Sequence, residues 1–192
     1  MAHLAGSFIG LCWGLMLAVI AVSAFSVKRT IAVDRRWRWS ALALVVGAAL
    51  LLRFVHAIPG PASALATPLW PRTPIIEGGA DLIVLVGLAI ALWGRATLGR
   101  NWNIDPGLKE NHELIARGPY AYVRHPMYSG LVLMLLGTVM WVGTPAGLVL
   151  FLVCFAATWL KLRREEIILT RHFGALYPRY QARVKALIPF VL

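Results

Sequence analysis

The sequence predicts an all-α integral membrane protein with five transmembrane helices, and three observations carry that prediction. Of its 192 residues, 59% are hydrophobic and only 14% are charged, against about 45–50% and about 25% in soluble domains. Uncharged or nearly uncharged runs approaching the ~20 residues needed to cross a bilayer recur along the chain. The basic residues are also segregated: five Lys and Arg fall in 28–38, five in 95–124 and seven in 161–185, leaving only Arg53 and Arg72 elsewhere. A mean hydropathy of +0.72 excludes a disordered chain, which could not keep so much apolar surface solvated. Cys12 and Cys154 sit in apolar runs without metal-type spacing, which argues against a disulfide scaffold or a zinc site.

The elements follow in order. The first span covers about residues 4–25 and holds no charge. A signal peptide would need a basic segment before the apolar run, whereas Lys28, Arg29, Arg35, Arg36 and Arg38 all come after it. The second span covers about 39–58, with Arg53 and His56 near one end, where both can snorkel to the headgroups. Pro59, Gly60, Pro61, Pro68, Pro71 and Pro74 mark an irregular loop. A third span follows at about 80–98, then a polar stretch, 99–125, too charged to sit in lipid. The last two spans, about 126–141 and 146–160, are separated by Val142-Gly143-Thr144-Pro145, which predicts a tight helical hairpin. From Lys161 the tail is polar, helical at first, and closes on Leu187-Ile188-Pro189.

The positive-inside rule places all three basic segments in the cytoplasm, with the N-terminus and the Pro-rich loop outside and the C-terminus inside. The net charge of +11 is then topology and attraction to anionic membrane lipids. No soluble module presents a basic stretch to nucleic acid. Arg outnumbers Lys 15 to 4, which points to a GC-rich bacterial source and so to a bacterial inner membrane.

Two polar clusters lie on the cytoplasmic side. The first runs from Asn111 to Gly130. Gly118-Pro119 is a turn signal, Pro126 suits the first turn of a helix, and His125, preceding a proline, is biased to an extended backbone. His125 thus stands at a helix N-terminus with Tyr120, Tyr122 and Tyr128 nearby in sequence, an arrangement suited to a carboxylate beside an aromatic base. An interfacial aromatic belt accounts for the same residues in blander terms. The second cluster is Lys161-Leu162-Arg163-Arg164-Glu165-Glu166, continuing the fifth span as a helix. Lys161 and Glu165 are i,i+4 neighbours, and Leu162, Glu166, Leu169 and Phe173 align on one side, so both glutamates border the apolar stripe while Arg164 and Arg171 lie opposite. Acids there are costly unless paired or used; surface i,i+4 ion pairs are the plain alternative.

These residues carry a resemblance. Asn111-His112-Glu113-Leu114-Ile115, Gly118-Pro119-Tyr120, Arg124-His125-Pro126-Met127-Tyr128, Glu165-Glu166, Phe173-Gly174, Tyr177, Tyr180, Arg183 and Pro189 stand in an order that resembles the isoprenylcysteine carboxyl methyltransferase family, within the wider group that includes membrane phospholipid methyltransferases. Leu98-Gly99-Arg100-Asn101-Trp102 also fits, so the resemblance covers roughly 77–190 and leaves the first two spans without a family motif.

The resemblance implies S-adenosylmethionine as methyl donor, held in a cytoplasmic pocket built from the 99–125 loop and the C-terminal helix. No Gly-rich dinucleotide fingerprint competes with that reading. Carried over position by position, the cofactor contacts are His112, Glu113, Leu114, Ile115, Tyr120, His125, Pro126, Met127, Tyr128 and Glu165. The catalytic candidates follow from the chemistry: Lys161 or Arg163 to hold an acceptor carboxylate, and Glu165 or Glu166 to take the proton of an amine or thiol acceptor. Where the family places a substrate-facing arginine, this chain has Lys161, a point charge rather than a planar fork; Arg163 compensates only if it turns back to the pocket.

The chain then reads as one polytopic domain over 1–192, with two N-terminal spans and an outer loop in 1–76 and a methyltransferase core in 77–192. Its partners are membrane lipids and a lipophilic acceptor entering from the bilayer. An isoprenylcysteine-like carboxylate comes first, then a phospholipid amine or a small thiol. An NADPH-dependent lipid or sterol reductase and a small lipid-binding or transport protein are the other classes.

Overall fold

Two Thr-Pro pairs start the two longest helices of the computed structural model, which describes residues 2–25, 27–33, 61–103, 107–111 and 113–191. The order of elements is α1 (Ala2–Ala24), β1 (Thr30–Val33), α2 (Pro74–Leu98), β2 (Gly107–Lys109), α3 (Pro126–Val142), α4 (Pro145–Phe173) and α5 (Leu176–Arg183). Thr73 and Thr144 cap α2 and α4 by accepting from the backbone N–H of Ile76 and of Gly147, each with proline at the first helical position. The helices stop where only glycine is comfortable: Gly143 ends α3 at φ 68°, and Gly99 and Gly174 follow α2 and α4 at φ 55° and 53°.

Among the described residues, three helices are long and apolar enough to cross a membrane: α1 from Gly6, α2 together with the 3-10 turn to Asn101, and α4. At 17 residues α3 is apolar but shorter, about 25 Å against a ~30 Å hydrocarbon core. The expected second span, 39–58, lies outside the described residues, as does His112.

α2 and α3 pack antiparallel along a seam of small residues. A Cβ on Gly130 would stand 2.4 Å from the Gly87 carbonyl oxygen, and one on Gly137 2.7 Å from that of Ala80. Backbones meet this closely only where side chains are absent, and in lipid such contact replaces hydrophobic burial as the source of helix association. Ala80, Val84, Leu88 and Ala91 fill the rest of the α2 face. α1 lies alongside through Ile9, Cys12 and Met16. Trp13 donates to Thr138 at 3.1 Å and Arg95 donates to Ser23 at 2.9 Å, so the end of α1 and the end of α2 share one end of the bundle.

That end also holds a feature the all-helical expectation does not contain. β1 and β2 form a two-stranded antiparallel ribbon, pairing Thr30 with Lys109, Ala32 with Leu108 and Val33 with Gly107. Its physical basis is a strand with three β-branched residues, Thr30, Ile31 and Val33, meeting a partner strand in the segment after α2. Lys28 N–H donates to the Arg100 carbonyl and Glu110 N–H to that of Arg29, fastening two basic segments to each other.

Candidate active site

The polar cluster is built around the start of α3. His125 has φ −129° and ψ 61°, outside the helical region as the following proline demands. Its backbone N–H donates to the Ala186 carbonyl at 3.0 Å, and that of Arg124 donates to Lys185 at 2.7 Å. The segment after α5 therefore runs beside 123–125 as a strand-like clamp, with Val123 and Lys185 in a parallel bridge. Ser129 Oγ adds a bond to the Leu187 carbonyl at 2.6 Å.

Arg124 is the hub of this collar. Its guanidinium meets Glu166 Oε1 through Nε at 2.7 Å and Nη2 at 2.6 Å, and Nη1 donates to the carbonyls of Val184 and Gln181 at the end of α5. A cation there satisfies helix-terminal carbonyls and opposes the negative end of the helix dipole. His125 Nε2 lies 3.4 Å from the same Glu166 oxygen, and both side chains are buried.

Three tyrosines close the collar. Tyr180 donates to the Tyr120 carbonyl at 2.5 Å, and Tyr177 stacks edge-on against Tyr180. Burial pushes the Tyr180 phenol up to about 12, with Arg124 partly opposing. Burial raises Tyr120 and Tyr177 still further, reinforced by Glu165 at Tyr120 and by Glu166 and Glu165 at Tyr177. All three are neutral phenols at physiological pH.

The collar borders a cavity, which Tyr120, Arg124, His125, Tyr177 and Tyr180 help to line. Of the residues singled out in the sequence, Glu113, Leu114, Ile115, Tyr120, His125, Met127, Tyr128, Lys161 and Glu165 line it together. Tyr128 donates to Glu165 Oε2 at 2.8 Å. Lys161 Nζ sits 5.4 Å from the Tyr128 ring centroid, within cation–π range, and the Tyr128 ring stacks with His125. An acid, a cation and two rings thus face one space. The remaining calls fall elsewhere. Pro126 is buried in the first turn of α3 and lines an apolar groove rather than this cavity. Arg163 is exposed and does not line it. Glu166 lies behind it, engaged by Arg124 and His125.

Sequence reasoning assigned no site role to several lining residues, although Asn101, Trp102 and Phe173 stand in runs that carry the resemblance. Asn101, Trp102, Asn103 and Gly107 enter through the loop after α2; Leu169 and Phe173 come from α4. Arg124 was part of the recognisable Arg-His-Pro run, but nothing in the sequence pairs it with an acid 42 residues away. The two α4 residues were visible as continuations of the Leu162–Glu166 stripe.

The described residues form a helical membrane protein with a polar cavity at the basic end of its bundle. The phospholipid methyltransferase family profile matches residues 77–175, more than half of the 192-residue chain. The chain belongs to that family. It is also similar to proteins called protein-S-isoprenylcysteine O-methyltransferase: 37% identical over 83 residues to that of Schizosaccharomyces pombe, covering 43% of this chain and 35% of the yeast protein. It is 31% identical over 128 residues to that of Rattus norvegicus, covering 64% and 45%. The probable enzyme of Oryza sativa subsp. indica is 31% identical over 113 residues, covering 57% and 59%. The chain thus matches less than two thirds of the length of each of these relatives.

Proposed function

We propose that the chain is a membrane-embedded methyltransferase that takes S-adenosylmethionine from the cytoplasm and esterifies the carboxylate of an isoprenylcysteine-like acceptor drawn from the bilayer. The observation that carries this reading is the juxtaposition of Glu165, held by the Tyr128 hydroxyl, with Lys161 in the cavity bordered by His125. The lining chemistry fits such a donor: a carboxylate for its positive charge, and Trp102, Leu114 and Ile115 as apolar surface for its base. Glu113, Tyr120, His125 and Met127 complete the proposed binding set. When bound, S-adenosylmethionine supplies an electrophilic methyl group on a sulfonium sulfur.

The chain's own residues do the rest. Lys161 holds the acceptor carboxylate, which is ionised at pH 7 and needs no general base. Glu165, fixed by Tyr128, sets negative charge against the cationic donor. Leu131, Leu169 and Phe173 keep the space poor in water, which favours a displacement in which charge is lost and positioning does much of the work. Glu166 positions His125 and Arg124 and takes no proton. Arg163 has no role at the reacting atoms.

In this reading residues 77–192 form the catalytic core and five spans cross the membrane with the N-terminus outside. Support for the span count comes from the flanks of the 34–60 stretch. β1 lies at the Arg95 end of the bundle. The Pro61–Ala66 turn leads to Leu69 and Trp70, which bond to Gly143 and Met140 at the opposite end. The connection carries the apolar run 39–58.

A lipid amine is the second acceptor reading, favoured by the phospholipid methyltransferase profile and by Glu165, which faces the cavity where a proton acceptor would be needed. The deciding experiment is label transfer from S-adenosylmethionine to a prenylcysteine and to an aminolipid. With a carboxylate acceptor, Lys161→Arg retains prenylcysteine activity and Lys161→Ala loses it. Strong aminolipid methylation that survives Lys161→Ala and stops in Glu165→Gln overturns the carboxylate reading.

A further inference from the structure

The cavity has two unlike walls. One is formed by the 124–131 segment and α4 and, among the described residues, brings two cations, Arg124 and Lys161, and the acid Glu165. The other comes from the 98–115 segment, whose described lining residues include no cation and one acid, Glu113. Lys28 braces this second wall from behind. It donates to Asn101 Oδ1 at 2.9 Å and to the Asn111 carbonyl at 3.0 Å, and sits 3.7 Å from Glu113. Its charge is thereby spent on groups of the wall itself.

Asn103 stands in this wall and is unlike its neighbours. It lines the cavity, yet its side-chain Nδ2 is shielded from solvent and has no hydrogen-bond acceptor among the described residues. Asn101, two residues earlier, is already bonded to Lys28. Trp102 between them is buried with Arg95 stacked on its ring at 4.8 Å, which anchors the strand of chain that carries Asn103. A buried donor without an acceptor is a standing cost that an intramolecular partner would normally remove. At the edge of a binding cavity the natural acceptor is the ligand.

We infer that Asn103 is a specificity residue for the methyl donor, giving a hydrogen bond from its amide nitrogen to an acceptor atom on the nucleoside half, a ring nitrogen or ribose oxygen, rather than to the amino-acid carboxylate. The inference rests on the proposed S-adenosylmethionine reading. The choice of half follows from the walls. A carboxylate beside Glu113 would meet like charge and no cation among that wall's described lining residues, whereas an uncharged, acceptor-rich nucleoside suits an amide donor flanked by Trp102, Leu114 and Ile115. The cationic amino-acid half then faces the wall that holds Glu165, and Lys161 is left to the acceptor carboxylate as proposed above.

The test is equilibrium binding, by calorimetry on the detergent-solubilised full chain, of S-adenosylhomocysteine and of 5′-methylthioadenosine, which keeps the nucleoside and lacks the amino-acid half. Asn103→Asp keeps the shape and removes the donor, and Asn103→Ala removes the side chain. Ligand-free thermal melts show that each variant is folded. Both variants weaken S-adenosylhomocysteine binding about ten-fold or more, the discrimination expected when a built hydrogen bond goes unmade, and they weaken 5′-methylthioadenosine by the same factor. Unchanged S-adenosylhomocysteine affinity in either folded variant overturns the inference. So does a loss seen with S-adenosylhomocysteine and absent with 5′-methylthioadenosine, which would move the contact to the amino-acid half. Should neither variant fold, wild-type discrimination decides: S-inosyl-, 3-deaza and 7-deaza analogues of S-adenosylhomocysteine and its 2′- and 3′-deoxy analogues must include one that binds about ten-fold more weakly, and equal binding of all of them overturns the nucleoside contact. Failure of the wild-type chain to bind S-adenosylhomocysteine at all overturns the donor reading itself, a result separate from any effect of Asn103.

Discussion

The seam between α2 and α3 and the collar around Arg124 hold the same helix, α3, by opposite means. Along the seam, Gly87, Gly130 and Gly137 let backbones touch, and polar groups play almost no part. Around its N-terminus, one guanidinium joins a carboxylate on α4 to carbonyls at the end of α5, and a clamp from 185–187 completes the ring. The seam sets where α3 lies; the collar sets where His125 and Tyr128 point. Damage to the first should therefore cost the fold, and damage to the second should cost the site as well as stability.

The largest effect falls on the collar. Glu166→Ala leaves Arg124 buried without its carboxylate and is expected to lower stability by about 3–5 kcal/mol. Glu166→Gln, which keeps the packing and one acceptor, is expected to lose less and to fold. Thermal melts compare the two. If Glu166→Gln is fully stable, binds S-adenosylhomocysteine normally and yet abolishes turnover, the residue is a proton acceptor and the positioning role is wrong.

Gly130→Val attacks the seam, where a side chain would collide with the Gly87 carbonyl. The expected loss is about 1–3 kcal/mol or more, and the folded fraction should keep wild-type affinity for S-adenosylhomocysteine. Affinity falling in parallel with stability would show that seam and site are not separable.

His125→Ala sharpens the contrast from the site side. It removes a buried ring that borders the cavity and stacks on Tyr128, and is expected to weaken S-adenosylhomocysteine binding by about 1–3 kcal/mol. A folded variant with unchanged affinity would return His125 to a purely interfacial role.

Much of the fold was legible because it depends on local rules. Gly143-Thr144-Pro145 announces the end of one helix and the start of the next, and the apolar runs match α1, α2 and α4, whereas Pro74, read as part of the loop, begins α2 about six residues before the expected span. The pairing of β1 with β2 was not legible, since four and three residues in a basic stretch carry no lasting period. In the site, the Lys161–Glu165 spacing and the His125-Pro126 turn foretold side chains that share the cavity. The partition of the two glutamates was not readable, because one helical position separates a residue facing the cavity from one facing Arg124. Asn103 carried no signal at all; its interest arises only from a buried nitrogen that lacks an acceptor.

The smallest effect tests the collar by pH. Tyr180 donates to the Tyr120 carbonyl, and its phenol is pushed up to about 12 by burial. Stability from the neutral phenol is complete below the ordinary value of about 10 and is lost as pH climbs toward the folded value. Tyr180→Phe should cost about 1 kcal/mol at neutral pH, and its melting temperature should fall less steeply than the wild type's above pH 10. Parallel curves would remove Tyr180 from the collar's energetics.

The measurement closest to the central claim is equilibrium binding of S-adenosylhomocysteine and of NADPH to the detergent-solubilised chain. Saturable binding of S-adenosylhomocysteine, weakened by His125→Ala and untouched by NADPH, is the predicted result. Tight binding of NADPH with none of S-adenosylhomocysteine would contradict it, and would assign the cavity to a reductase instead.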